Sequence, residues 1–232
     1  AYAMFLLVRN SPYDISVPHP NGHFYIVSTV SIVAAILSFA IGIAGNRLRN
    51  IKVTFLSMSF LSLAIVFAVH GLSTPHFLIH PSQLPSVTSP LSVIVATIWL
   101  WLSSLHSDHS VVLFFAKRSR LLLPSWTLLL VLIGTVLMIW PELVQFIPLT
   151  LEAHRWWIGL AAILLLGVSA YRYYRAYMFS RLPLQLAIVY SVSLMAVSLL
   201  VMLQGEMWKI SWWLYHIYLL GDRKSTRLNS SH

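Results

Sequence analysis

Six long apolar runs limit the fold of this chain more than any other feature of its sequence. A helix needs about 20 apolar residues to cross the hydrocarbon core of a bilayer. The runs are continuous rather than alternating, which favours helices over the shorter strands of membrane barrels. The predicted spans are 24–45, 53–73, 90–106, 121–140, 156–177 and 184–204.

The composition leads to the same fold class. Of the 232 residues, 58% are hydrophobic and only 9% are charged, whereas a soluble domain carries about 25% charged residues. The charged residues are too few to cover a surface that faces water, and most of the surface should therefore contact lipid. We therefore predict an all-α, polytopic transmembrane helix bundle in the cell membrane. The chain has no cysteine, which excludes disulfides and thiolate metal sites.

A seventh apolar segment begins near Met207 and stops near Gly221, after about 14 residues, too few to cross a bilayer. The residues that follow, 222–232, read DRKSTRLNSSH and resemble a translated sequencing adapter. We interpret them as an artefact on a truncated fragment. Residues 1–22 are predicted to be an outer segment, either a short apolar stub or the end of a lost N-terminal helix. Residues 23–221 are predicted to form the transmembrane domain, with about seven spans.

Basic residues predict the orientation of the bundle. Nine lie in the segments that follow spans one, three and five, and three lie in the alternate segments. The positive-inside rule puts the first set in the cytoplasm, so the N-terminus is expected outside and the C-terminus inside. The first set is Arg47, Arg49, Lys52, Lys117, Arg118, Arg120, Arg172, Arg175 and Arg181, and the second is Arg9, Arg155 and Lys209. Because the basic residues are divided among short loops, the net charge of +9 does not indicate nucleic-acid binding.

Histidines are the main candidates for chemistry. Seven of the nine that precede residue 222 fall on the predicted outer side, among them His19, His23 and His154. The densest cluster is HGLSTPHFLIHP, and WKISWWLYH adds aromatic rings and one further histidine within the seventh segment. Imidazoles and aromatic walls together are typical of a small-molecule site. The predicted ligand-binding residues are His70, His76, His80, His216, Trp212, Trp213 and Glu206.

Each of these candidates also has a structural interpretation. The histidines can be hydrogen-bonded loop or interhelical residues, and the tryptophans can be part of an interfacial aromatic belt. As a metal site, the candidates are His70, His76, His80 and His216, since imidazole nitrogen binds zinc, copper, nickel and iron. Haem is the other candidate cofactor. A haem held by two histidines needs them at similar depth in the membrane, and the estimated depths of His70 and His216 differ, which argues against haem.

The sequence contains no catalytic or nucleotide-binding motif of the types Walker A, G-x-G-x-x-G, H-E-x-x-H or G-x-S-x-G. Enzymatic activity is therefore not assigned to the fragment. The acids Glu142, Glu152 and Glu206 fall at or beyond the ends of the predicted spans, so no span holds the buried acid common in ion-coupled transporters.

Three short stretches carry a resemblance: HFYIVS at 23–28, HGLSTP at 70–75 and WKISWWLYH at 208–216. They resemble the multi-helix membrane modules of bacterial signalling proteins in which a nucleotide cyclase, diguanylate cyclase or histidine kinase follows the last helix. The resemblance implies a sensory or anchoring module whose cytoplasmic output domain, a cyclase or kinase, is missing from the fragment. The possible partners are a second copy of the chain, in a homodimer, and a small ligand or ion bound at the outer face. The alternatives are a transporter or channel, or a haem- or metal-binding redox protein.

The charge pattern makes a testable prediction. Single cysteines near Arg49, Arg118 and Arg175 should be protected from an impermeant thiol reagent in intact cells, whereas a cysteine at Ser82 should be labelled. The cysteine-free chain provides a clean background. Labelling of the basic loops with protection of position 82 would contradict the orientation.

Overall fold

The computed structural model describes residues 1–74, 82–117 and 119–221, and this part of the chain is mostly helical. Its α-helices are, in order, α1 (Tyr2–Arg9), α2 (Pro20–Leu48), α3 (Ile51–Leu72), α4 (Leu84–Ser104), α5 (Ser110–Ala116), α6 (Ser119–Ile139), α7 (Glu152–Ser180), α8 (Pro183–Gln204) and α9 (Ile210–Gly221). Short 3₁₀ helices occupy Pro141–Phe146 and Pro148–Thr150. The chain divides into two compact units, Pro20–Arg155 and the combination of Ala1–His19 with Trp156–His232.

Six helices, α2, α3, α4, α6, α7 and α8, are long and apolar enough to cross a membrane. The all-helical, multi-pass prediction is confirmed at this level. Helix α4 begins at Leu84, six residues before the predicted start at residue 90. The predicted span left Pro85 outside the helix and was wrong there, because proline is well tolerated in the first turn of a helix, where its missing N–H has no intrahelical partner. The seventh span and the orientation of the termini stay predictions.

Helix α3 is the centre of the unit Pro20–Arg155. It packs against α2, α4 and α6, and 67% of its most apolar window is buried, compared with 17% for α6. Three serines link α3 to these neighbours. Ser57 exchanges side-chain-to-carbonyl hydrogen bonds with Ser38 of α2 at 2.8 and 2.9 Å. The Ser59 hydroxyl donates to a carbonyl of α4 at 2.8 Å, and Ser62 accepts the indole N–H of Trp126 of α6 at 2.8 Å.

These contacts have a physical reason in a chain of this composition. Lipid is as apolar as the helix surfaces, so burial of apolar area does little to join helices within a membrane. Small side chains that allow close approach, and hydroxyls that bond across the interface, do more. Gly71 shows the close approach: a Cβ atom at this position would lie 2.9 Å from Cγ1 of Val27 on α2. Helices α2 and α3 therefore approach each other closely at the serines and at this glycine.

Large apolar side chains are exposed along two helices of the unit. Ile32, Ile36 and Phe39 along α2 are exposed, and so are Leu128 and Leu132 along α6. Exposed large side chains on helices of spanning length are compatible with contact with a lipid bilayer.

In the other unit, the N-terminal residues are held by the helix that ends the described chain. An antiparallel bridge pairs Ser16 with Lys209, and the hydroxyl of Tyr218 donates to the carbonyl of Ala1 at 2.7 Å. The Asp14 carboxylate accepts the backbone N–H of Ser211 at 2.8 Å and its hydroxyl at 2.9 Å. Ser211 lies in the first turn of α9, so Asp14 caps a helix nearly two hundred residues away in sequence and adds a negative charge at its positive end.

Loss of this cap should weaken α9. Asp14→Ala should destabilise the helix by about 1 kcal/mol, seen as a roughly fivefold faster hydrogen exchange of the first-turn amides of α9. Asp108→Ala, which removes an exposed acid in the loop before α5, is the matched control and should leave exchange in α9 unchanged. Equal exchange in both variants would show that Asp14 does not act as the cap.

Candidate functional site

A pair of directly hydrogen-bonded histidines lies inside the unit Pro20–Arg155. His23 is in the first turn of α2, and His70 is in the last turn of α3. The side chains are 2% and 3% exposed, respectively. Their Nε2 atoms lie 3.1 Å apart, and the two rings meet edge to face with centroids 4.9 Å apart. Two ionisable groups are thus buried together where the surrounding surface is apolar, which is expensive unless they are bonded.

The outer nitrogens of both rings also have partners. The Nδ1 atom of His23 lies 2.9 Å from the hydroxyl of Thr74. The Nδ1 atom of His70 lies 2.9 Å from the carbonyl oxygen of Pro85, in the first turn of α4. The pair therefore connects α2, α3 and α4 at one end of the unit.

These partners determine which ring nitrogens carry protons when both rings are neutral. A carbonyl oxygen only accepts, so Nδ1 of His70 must donate to Pro85, and its Nε2 is then an acceptor. His23 must donate from Nε2 to His70, which leaves its own Nδ1 to accept the hydroxyl proton of Thr74. This assignment gives one continuous direction of donation, from Thr74 through His23 and His70 to Pro85.

The local sequence explains the placement. Pro20 starts α2 with a fixed backbone angle suited to the first helical turn, which puts His23 just inside the helix. Helix α3 ends at Leu72, with Ser73 as its C-cap. The sequence that follows, Thr-Pro, disfavours helical geometry at the residue before the proline, so Thr74 lies beside the end of α3 with its hydroxyl near His23. The Phe67 ring stacks on His70 at 5.2 Å between centroids.

The nitrogen spacing suits a shared ion as well as a shared proton. A tetrahedral zinc ion with Zn–N bonds of about 2.0–2.1 Å holds two imidazole nitrogens about 3.3 Å apart. The observed separation of 3.1 Å between the two Nε2 atoms is close to this value. Both Nδ1 atoms already face oxygen partners, and metal-bound histidines commonly use the second nitrogen in this way.

A further buried histidine lies on α9, among aromatic side chains. His216 is fully buried, stacked on Tyr215 at 3.8 Å and edge-on to Trp212 at 4.8 Å between ring centroids. Trp213 lies 5.3 Å away, and its indole N–H donates to the carbonyl of Val17 at 3.2 Å. The structure thus brings together three of the predicted residues, His216, Trp212 and Trp213.

Two of the remaining predicted residues, His70 and Glu206, are among the described residues. His70 belongs to the unit Pro20–Arg155, whereas His216 belongs to the unit that contains the C-terminal helices. Glu206 is exposed and lines a polar recess with Arg9, Asp14 and Lys209 rather than the aromatic cluster. His76 and His80 lie outside the described residues.

The sequence interpretation missed three members of the histidine network. His23 was counted as one of several outer histidines because it precedes the predicted start of the first span at residue 24. Thr74 and Pro85 lie outside the predicted spans 53–73 and 90–106 and were not among the predicted site residues. A signal was available, since the stretches HFYIVS and HGLSTP each place a histidine at the predicted outer end of neighbouring spans, where antiparallel helices bring such ends together.

Comparisons with protein families, with curated proteins and with solved structures find no match to the chain.

The hydrogen bond from Thr74 provides a direct test of the network. Thr74→Val keeps the shape of the side chain but removes the hydroxyl, so Nδ1 of His23 loses this donor in a buried site. We expect a loss of about 1–3 kcal/mol in the free energy of unfolding, measured by denaturant titration in detergent. Thr135→Val, which removes an exposed hydroxyl bonded within its own helix, is the control and should change stability little. Equal stability of the two variants would contradict the network.

Proposed function

We propose that the chain is a membrane-embedded sensory module of a bacterial signalling protein, situated in the cell membrane, and that the histidine pair receives the signal. The observation that carries the proposal is the contact between Nε2 of His23 and Nε2 of His70, buried between α2 and α3. The proposed ligand is a transition-metal ion of the type that imidazole binds, with zinc and copper the first to test.

Metal binding fits the proton arrangement of the pair. His23 would move its proton from Nε2 to Nδ1, and the Thr74 hydroxyl, which both donates and accepts, would then accept from that nitrogen. His70 would keep its bond to Pro85. Both rings would present unprotonated Nε2 atoms to the ion, while both Nδ1–H groups would remain bonded to oxygen.

A bare ion suits the pair better than haem. Haem iron takes its two axial ligands from opposite faces of the porphyrin. Two rings in direct hydrogen-bond contact leave no space for a macrocycle between their Nε2 atoms. The further metal candidates from the sequence, His76, His80 and His216, stay predictions.

A response follows from the position of the pair. Metal binding replaces one hydrogen bond by two metal–nitrogen bonds and so favours a different packing of α2 against α3. His70 is also bonded to α4, so the first turn of α4 is drawn into the same change. A ligand shifts such an equilibrium only by its difference in affinity for the two packings, and bonds formed in one packing alone provide that difference.

The first experiment measures metal uptake by the full chain purified in detergent. The wild type should take up about one zinc or copper ion per chain. His23→Ala and His70→Ala should each reduce the affinity by at least about a hundredfold, since each removes a ligand and loss of an outer-shell partner alone costs about 10–100-fold. His154→Ala, which removes an exposed histidine of the same unit, is the matched control and should bind as the wild type. Affinity should fall at lower pH, because protons compete for imidazole nitrogen.

Unchanged uptake in both the His23→Ala and the His70→Ala variant would rule out this site. His216→Ala tests the candidate on α9 that the sequence suggested.

The second experiment separates sensing from transport. A sensor should show metal-dependent hydrogen exchange in the first turns of α2 and α4 and the last turn of α3, and reconstituted vesicles should show no metal flux above that of empty vesicles. A saturable flux that His70→Ala abolishes would contradict the sensory function and favour the transporter. Metal binding without any change in exchange would also contradict a sensory role.

A further inference from the structure

A basic pocket lies at the end of the same unit where α2 ends and α3 and α6 begin. Its volume is about 860 Å³. Three arginines line it: Arg47 in the last turn of α2, Arg49 in the turn between α2 and α3, and Arg120 in the first turn of α6. The polar lining is completed by Asn46, Thr54 and Ser119.

The charge of this lining is of one sign. Among the described residues that line the pocket there is no aspartate or glutamate, so none of these residues supplies a carboxylate to neutralise the three guanidinium groups. Guanidinium groups pair with phosphate through two parallel hydrogen bonds, which makes arginine the residue best suited to this anion. The three arginines also belong to the set that the charge pattern predicts to be cytoplasmic, the leaflet where anionic lipids concentrate.

Apolar side chains form the other wall of the pocket. Phe39 and Ile43, on the preceding turns of α2, are 71% and 40% exposed, and Leu123 and Pro124 of α6 also line the pocket. The pocket therefore combines a cationic end with an apolar groove that runs along two helices of spanning length. This arrangement matches a molecule with an anionic head and an acyl chain.

The backbone at the cationic end is held in an uncommon conformation. Arg49 has a φ angle of 48°, in the left-handed region that residues other than glycine seldom adopt. The turn is fixed by the Asn50 side chain, which accepts the backbone N–H of Lys52 at 3.0 Å, and by the Asn50 backbone N–H, which donates to the carbonyl of Gly45. A short turn held by these hydrogen bonds fixes the backbone of Arg49 beside the pocket that it lines.

We propose that this pocket binds an anionic phospholipid, with the phosphate held by Arg47, Arg49 and Arg120 and an acyl chain lying against Phe39 and Ile43. A free phosphate ion shares the chemistry of the head group but would use only the arginines and leave the apolar wall unoccupied. The exposed Phe39 and Ile43 therefore favour the lipid over the free ion. The site is separate from the histidine pair and does not depend on the proposed sensory function.

The test uses the full chain in neutral detergent, titrated with phosphatidylglycerol, with phosphatidylcholine and with inorganic phosphate. Phosphatidylglycerol should raise the thermal unfolding midpoint saturably, and the other two probes should not. The double variant Arg47→Gln with Arg120→Gln should weaken phosphatidylglycerol binding by roughly tenfold to thirtyfold, since each basic residue near an anionic lipid contributes about fivefold. Both side chains are exposed, and circular dichroism checks that the variant remains folded.

The matched control is Arg175→Gln with Arg181→Gln, which removes the same charge from the other predicted cytoplasmic segment and should change the affinity less than threefold. A photoactivatable phosphatidylglycerol should crosslink to the peptides that contain Phe39 and Leu123. Phe39→Ser with Ile43→Ser should weaken lipid binding while leaving the arginines in place. Equal losses in the two arginine double variants, crosslinks only elsewhere, or an equal stabilisation by inorganic phosphate would each overturn the proposal.

Discussion

Hydrogen bonds from α3 to its neighbours are the interactions on which the unit Pro20–Arg155 depends. Three serines of this helix bond to α2, α4 and α6 in turn, over little more than one helical turn, between Ser57 and Ser62. In a chain with so little polar surface, such bonds specify which helices meet and in which register, because apolar contact with lipid and with another helix are nearly equivalent. The close contact at Gly71 holds α2 against α3 at the end where the histidines lie.

His70 is another side chain of α3 that bonds to neighbouring helices, and unlike serine it can also bind a proton or a metal ion. It bonds to α2 through His23 and to α4 through Pro85, so it is part of the packing. Helix α2 carries His23 in its first turn and Arg47, which lines the basic pocket, in its last turn.

Much of the fold follows from the sequence because each spanning run is long, continuous and nearly free of charge. The limits of those helices are less predictable, as Pro85 shows: a proline that breaks a helix interior is well placed in a first turn. The histidine pair required knowledge of which helix ends adjoin, so His70 was identified and His23 was not. The Asp14 cap on α9 joins residues separated by almost the whole chain, and no local pattern indicates such a contact. Glu206 was grouped with the aromatic cluster by proximity in sequence, whereas its side chain lines a separate polar recess.

The proposed metal site depends on His23 and His70 forming a neutral, hydrogen-bonded pair with a defined direction of donation. Nitrogen-15 NMR of histidine-labelled protein in lipid bilayers, assigned with the His23→Ala and His70→Ala variants, tests it most directly. The account predicts that, before metal is added, His70 carries its proton on Nδ1 and His23 on Nε2, with a coupling between the two Nε2 atoms across the hydrogen bond. On addition of zinc, both Nε2 resonances should shift and the proton of His23 should move to Nδ1. A His70 ring protonated at Nε2 alone, or two Nε2 resonances that show neither a coupling nor a response to zinc, would contradict it.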